Sequence, residues 1–375
     1  MFLNKMKMKG TRYAVHGTRN TMEKQIRFSR VPHTVYRVPR TVYLLPCIVY
    51  LLSLFSCLKV EEFPNDPRGN FEALWKIMDE HYCFFDYKQI NWDSIHTAYS
   101  QRIDNSMNSE SLFMLLNEML QEVKDGHVNL ITPFDVGRYW KWFEDYPRNF
   151  SLNIIDKYLG SDYAISGGIR YTILEDNIGY MYYGDFSSAL GEANLDYIID
   201  KLSICDGIII DVRDNGGGLL SNAEILAARF VNEKTLVGYI QHKDGKGHND
   251  FSKPLARYNV PSTRLRYQKP VIVLTNRSCF SATNDFVNAM RYCPNVTIVG
   301  DKTGGGSGLP FNSEIPNGWS VRFSACPMFD AAMQQTEFGI DPDIHVDLSD
   351  QDLKRGKDTL IETAKNLLKM NTYKP

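Results

Sequence analysis

Two hydrophobic periodicities divide the chain. Between residues 70 and 120 apolar and aromatic positions recur at three- and four-residue spacing, in FEALWKIMDEHYCFF and again in SESLFMLLNEMLQEV. That spacing predicts amphipathic helices. Ser109, ahead of Leu112, Leu115, Leu116 and Leu120, supplies a capped start for the second. From about Ile173 short apolar runs alternate with helical segments: IGYMYYGDF, a helix over 195–202, GIIIDVR, a helix over 221–230, PVIVLT, a helix over 282–291, then VTIVG. Such alternation implies right-handed βαβ units and a largely parallel sheet covered on both faces. Ile208, Ile209 and Ile210, like Val271, Ile272, Val273 and Leu274, are continuously apolar, as central parallel strands are. The polar stretch 242–262 predicts a long loop or excursion, and residues 353–368 predict a closing amphipathic helix.

The N-terminus follows neither pattern. Residues 1–40 are basic and polar, and 41–57 are mostly apolar, ending Leu54-Phe55-Ser56-Cys57. The apolar run is too short and interrupted for a membrane span and matches a secretory h-region behind a basic n-region. Its end resembles a bacterial lipobox, which implies lipid attachment at Cys57 and a place in the cell envelope, periplasm or outer membrane. The long n-region leaves Met1 and Met22 both open as the start. A buried N-terminal strand or helix is the competing reading. The expected organisation is a signal peptide over 1–57, a linker over 58–68, a helical cap domain over 69–132, a connecting segment over 133–171, a core over 172–352 and a C-terminal helix over 353–375.

Composition narrows the function classes. The chain has 375 residues, 43% of them apolar and 12% aromatic, enough for a large folded core. The formal net charge of −2 gives no reason to expect nucleic acid as a partner. Seven cysteines show no CxxC or Cys/His pattern, so neither a metal site nor a disulfide framework is expected.

Four segments carry candidate chemistry. In PVIVLTNRSCFSATNDFVNAM a buried strand meets a helix at a small-residue corner holding Ser278 and Ser281. A serine there sits beside free helix N–H groups that can stabilise an oxyanion, but taken alone the turn favours a helix N-cap. In IIIDVRDNGGGLLSNAEIL a strand ends in Asp211, Arg213 and Asn215, followed by Gly216, Gly217 and Gly218. The glycines suit an oxyanion loop or a tight turn, and Asp211 and Arg213 can form an ion pair that supports the loop. Phosphate binding is disfavoured because the P-loop Lys-Ser/Thr pair and the GxGxxG spacing are missing. The third segment, KDGHVNLITP, contains His127, and the fourth, QQTEFGIDPDIHV, contains Glu337. Either residue alone has an ordinary structural reading.

Together these segments resemble the tail-specific, or C-terminal processing, serine proteases of peptidase family S41. The order is DGH, then D-x-R-x-N-x-GG, then Ser-x-x-Ser-Ala, then VGxxTxG, then an acid before G-I-x-P-D. Phe-x-x-Leu-Trp and Asn91-Trp92-Asp93 are similar to the family's helical cap, and the likeness covers roughly residues 68–350. The resemblance implies an α/β (α+β) fold, a ClpP/crotonase-like core with a mainly parallel sheet, behind an N-terminal helical cap. It implies Ser281 as nucleophile, oxyanion donors among Gly216, Gly217 and Ala282, a peptide or protein substrate, and no cofactor or metal. It leaves the oligomeric state open.

Two departures qualify the likeness. The bacterial Ser–Lys branch places its lysine where this chain has Gly306, and Lys302 lies four residues early. The tricorn-core-like branch has a His and a Glu, matched here by His127 and Glu337, but carries a Ser where this chain has Gly126. That favours His127 over Lys302 as the base. Glu337 then orients the imidazole, stabilises its cation, or binds the substrate's N-terminus. The roughly forty residues 133–170 are too few for a PDZ module. An exported serine peptidase and a non-catalytic lipoprotein that binds a peptide or apolar ligand in the same cleft are the competing functions.

Overall fold

The computed structural model describes residues 62–372, so the expected leader, with Met22 and Cys57, lies outside the described residues. Three helices come first, α1 (Pro67–His81), α2 (Trp92–Ser100) and α3 (Ser109–Gln121). Asp66, Asn91 and Asn108 cap them through side-chain acceptors. The cap of α3 is therefore Asn108, with Ser109 as its first helical residue. Next come β1 (Asn129–Ile131), β2 (Val136–Gly137), α4 (Leu152–Leu159), β3 (Ala164–Ser166), β4 (Ile169–Leu174), β5 (Ile178–Tyr182), α5 (Glu192–Leu202), β6 (Gly207–Asp211), α6 (Leu220–Ala227), β7 (Thr235–Ile240) and β8 (Leu255–Asn259). The rest is β9 (Val271–Thr275), α7 (Ala282–Met290), β10 (Val296–Gly300), β11 (Gly308–Glu314), β12 (Ser320–Asp330), β13 (Ile344–His345), α8 (Asp350–Lys354) and α9 (Thr359–Thr372).

The larger sheet has the order β13-β10-β9-β6-β5-β4-β3. The pairings from β13 to β5 are parallel, and β5-β4 and β4-β3 are antiparallel. It is the mainly parallel βαβ core implied by strand–helix alternation. Side-chain alternation explains why its central strands are apolar throughout. Ile208, Ile210, Val271 and Val273 pack with Leu195, Ile198, Leu226 and Phe286, while Ile209, Ile272 and Leu274 pack with Ile155, Leu360, Ile361 and Ala364. Helices cover both faces, and each strand must be apolar on both sides.

A second, antiparallel sheet runs β2-β1-β12-β7-β8, with β11 on β12. It corrects the expectation of a long loop over 242–262, because β8 lies in that stretch and pairs with β7 from Thr235↔Asn259 to Ile240↔Leu255. β8 is mostly solvent-facing, so it lacks the apolar run that marks the core strands. The three N-terminal helices pack on this sheet: Phe71, Leu74, Leu116 and Met119 share a core with Leu130, Val321 and Phe323. Their helical cap is thus half of a two-layer unit whose other half comes from strands far along the chain. No described helix is long and apolar enough to cross a membrane.

Candidate active site

β9, an interior strand of the parallel sheet, delivers the chain to a corner at its C-terminal end. Ser281, immediately before α7, has φ 59° and ψ −121°. A non-glycine residue held there costs on the order of 1–3 kcal/mol, and such strain persists only where the surroundings fix it. Here Ser281 N donates to Gly305 O at 2.8 Å, and Asp285 N donates to Ser281 O at 3.0 Å. The Ser281 side chain makes no capping hydrogen bond. Its Oγ lies instead 2.9 Å from His127 Nε2. Ser278, the other serine of the corner, makes no such approach; its N–H donates to Asn276 Oδ1 at 3.2 Å.

His127 is carried by the turn between α3 and β1. Asp125 shapes that turn by accepting from His127 N at 2.8 Å, Tyr82 Oη at 2.9 Å and Ser324 Oγ at 3.0 Å. The imidazole rests on Phe280, centroid to centroid 4.7 Å, and Phe280 stacks on Trp142 at 4.1 Å. Burial pushes the imidazole down to about 4, against the pull of Asp125 and with help from Arg322 and Lys88. Nδ1 has no hydrogen-bond partner among the described residues.

Glu337 does not meet the imidazole. Its two oxygens are taken by Lys88 Nζ at 2.9 Å and Ser307 N at 2.9 Å. Lys88 also reaches Asp125 Oδ2 at 3.3 Å, so it bridges the two carboxylates in the interior. Burial pushes the Glu337 carboxyl up to about 7, against Lys88 and with Asp125. Burial lowers Lys88, but the two carboxylates outweigh it and hold the ammonium above its ordinary value. Sequence reasoning passed over both Lys88 and Asp125. The available signal was slight, a lysine three residues past the aromatic run Tyr82-Cys83-Phe84-Phe85.

The same aromatic pair explains the two departures from the family pattern. A Cβ at Gly126 would stand 2.6 Å from Trp142 Nε1 and 2.9 Å from Phe280 Cζ, so a serine has no room there. Gly306 has φ 76°, and a Cβ on it would fall 2.4 Å from Phe280 Cζ. Phe280 thus stands where a lysine stem would begin. Lys302 points elsewhere and pairs with Asp341 at 3.3 Å.

The glycine loop passes over the serine. A Cβ at Gly217 (φ 103°) would come within 2.8 Å of Ser281 Cβ and 3.0 Å of Ala282 N. Gly217 N–H is already committed to Asn215 Oδ1, at 2.9 Å. Of the three expected oxyanion donors, that leaves Gly216 and Ala282, the latter being the first residue of α7 and lacking an intrahelical acceptor. Asn215 also donates to Tyr183 O at 2.8 Å and accepts from Thr283 Oγ1 at 2.6 Å, joining loop and helix. Below it, Arg213 is wholly buried between Asp211 (2.7 Å) and Asp358 (3.0 Å). A cleft of about 240 Å³ opens beside Ser281, lined by Gly218, Leu219, Ser307, Leu309 and Arg322 among others.

The profile of peptidase family S41 matches residues 177–346, and that of the tricorn protease C1 domain matches residues 63–121. A crystal structure of a candidate peptidase from Parabacteroides merdae is 57% identical over 81% of this chain and 97% of that one, with a TM-score of 0.78. The chain belongs to peptidase family S41. The carboxy-terminal processing protease CtpA of Bacillus subtilis is a more distant S41-like relative, 25% identical over 53% of this chain and 44% of its own. The chain spans less than half the length of such curated relatives. A lipoprotein from Streptococcus agalactiae shares the fold at 15% identity, covering 84% of this chain and all of that one, with a TM-score of 0.53.

Proposed function

We propose that this S41 member is an exported, lipid-anchored serine peptidase that hydrolyses peptide bonds in proteins or peptides. Ser281 is the nucleophile and His127 the general base. The observation that carries the reading is the 2.9 Å approach of Ser281 Oγ to His127 Nε2 at a strained corner where the serine does not cap its helix. As Oγ bonds to the scissile carbonyl carbon, Nε2 takes its proton, and the N–H groups of Ala282 and Gly216 receive the oxyanion. The imidazolium returns the proton to the leaving amine as the C–N bond breaks. Water then releases the acyl group by the reverse transfers. Lys88 and Glu337 act at one remove, holding Asp125 and with it the turn that carries His127. With both Glu337 oxygens occupied, a role in binding a substrate amine is disfavoured. Processing-protease relatives support a peptide substrate. The basic and apolar N-terminal pattern ending at Cys57 supports lipid attachment in the cell envelope.

A fluorophosphonate probe tests the chemistry. Wild type should be labelled and Ser281→Ala should not; equal labelling of the two sinks the nucleophile assignment. Globomycin sensitivity and mass analysis at Cys57 test the anchor. The competing reading, a non-catalytic lipoprotein that binds a peptide or apolar ligand, draws on one observation: His127 Nδ1 has no acceptor among the described residues to stabilise an imidazolium. An unlabelled wild type would favour it.

A further inference from the structure

The cleft beside Ser281 holds two charged side chains. Asp285 is neutralised by Arg257, whose guanidinium grips it at 2.6 and 2.7 Å. The other is Arg322. It forms no hydrogen bond or ion pair among the described residues, although it is half-buried and loses solvation there. Nearly every other buried or half-buried arginine of the chain has a carboxylate partner: Arg213, Arg229, Arg257 and Arg291 are examples. A guanidinium left partly dry without an acceptor is unfavourable, and an arriving carboxylate relieves it.

The strand fixes where Arg322 faces. Val321 and Phe323 of β12 enter the core under the helices, so Arg322 lies on the opposite face together with Ser324. Ser324 is bonded to Asp125 of the His127 turn, and β12 pairs Arg322 with Asn129, two residues past His127. Two further polar groups lining the cleft, Ser307 Oγ and Asn288 Oδ1, are buried and without partner among the described residues. The cleft therefore offers one cation, Arg322, that feels the charge of Asp125 but is held by no hydrogen bond or ion pair among the described residues, and the two buried groups lie behind its wall.

We propose that Arg322 is a specificity-determining residue that binds a substrate carboxylate in the cleft beside Ser281. This rests on the reading of Ser281 as the point of attack. An acidic side chain near the scissile bond and a free peptide C-terminus present the same chemistry. A bound carboxylate has a second effect: it offsets the positive charge that Arg322 sets near His127, so imidazolium formation becomes easier. The preference therefore reaches kcat as well as KM.

The test is cleavage of acetylated hexapeptide libraries by the full chain, made in parallel as free acids and as C-terminal amides, and read by mass spectrometry. Wild type should prefer Asp over Asn, or Glu over Gln, or free acid over amide, by at least about tenfold in kcat/KM, equivalent to about 1.4 kcal/mol. Internal acid preference identifies the side chain; acid-over-amide preference identifies the terminus. Arg322→Gln should bring the ratio near one, Arg322→Lys should retain part of it, and Arg322→Glu should turn the preference towards Lys. A wild-type ratio near one, or a ratio that survives both Arg322→Gln and Arg322→Glu, overturns the proposal. Binding of the same peptides to Ser281→Ala, read by fluorescence anisotropy, needs no turnover. A carboxylate preference there, beside an unlabelled wild type, would overturn the peptidase reading while sustaining the role of Arg322.

Discussion

At His127 the proposed base sits in surroundings that resist its protonation. The ring is buried against Phe280, and its proton affinity is depressed to about 4 from an unperturbed 6.5. It is therefore neutral, ready to accept a proton, across the whole ordinary range. The free-enzyme kcat/KM profile should accordingly show the His127 limb close to pH 4, with none at 6.5. A limb near 7 is expected only from Glu337, whose carboxyl burial raises to about 7, and it should vanish in Glu337→Gln. The same shift has a stability consequence. A folded value below the unfolded one means that the contribution is present above pH 6.5 and is lost as pH falls towards 4, on the order of 3 kcal/mol in total. Urea titrations of wild type and His127→Gln between pH 7 and 4 should converge by that amount. Replacing the base should also distinguish it from the lysine of the other family branch. His127→Ala is expected to lower kcat/KM by about a thousandfold or more, and Lys302→Ala, which removes only a pair with Asp341, to leave it within about twofold. A large loss in Lys302→Ala alone would reverse the assignment of the base.

At the scale of elements, an aromatic wedge sets the local sequence. Trp142 comes from the segment between β2 and α4, Phe280 from the corner before α7, and together they fill the space above Gly126 and Gly306. Gly126→Ser alone should cost about 1–3 kcal/mol by overpacking. In a Trp142→Ala background only the 2.9 Å approach to Phe280 remains, so the same change should cost less, giving a coupling energy of about 1 kcal/mol in a denaturation cycle. Additive effects would show that the wedge does not exclude the serine. This wedge also shows where the sequence stopped being legible. Ser281, His127 and the glycines sit in short segments with local signatures, and the continuous apolar runs marked β6 and β9. Trp142 lies in a stretch without periodicity, and β7 and β8 are half-exposed strands whose partners are distant in sequence, so no window of residues displays them. Lys88 and Asp125 were illegible for the same reason. A lysine 37 positions from its carboxylate looks like any other lysine until the fold buries both, and only burial gives the pair its meaning.

At the scale of the whole molecule, one buried cation ties the glycine loop to the C-terminal helix. Arg213 lies directly before the glycine loop, and its guanidinium spans Asp211 at the end of β6 and Asp358 at the start of α9. It also donates to Asn149 O, at 3.1 Å, ahead of α4. The Asp211–Arg213 pair could be read from their spacing, but the third partner is 145 residues away and could not. All three side chains are excluded from solvent, so removing the cation alone strands two carboxylates in the interior. Arg213→Met should therefore destabilise the protein by about 3–5 kcal/mol, measured as a shift of the urea midpoint. The companion change Asp358→Asn leaves Arg213 with Asp211 and should cost less. The loop gives this prediction its functional side. Asn215, two residues on, joins Gly217 to Thr283 of α7, so loosening Arg213 should also blur the placement of the proposed oxyanion donors over Ser281. In conditions where Arg213→Met is still fully folded, its fluorophosphonate labelling rate should fall at least tenfold. A variant that loses stability but labels at the wild-type rate would show that the buried triad supports the sheet and α9 without reaching the site.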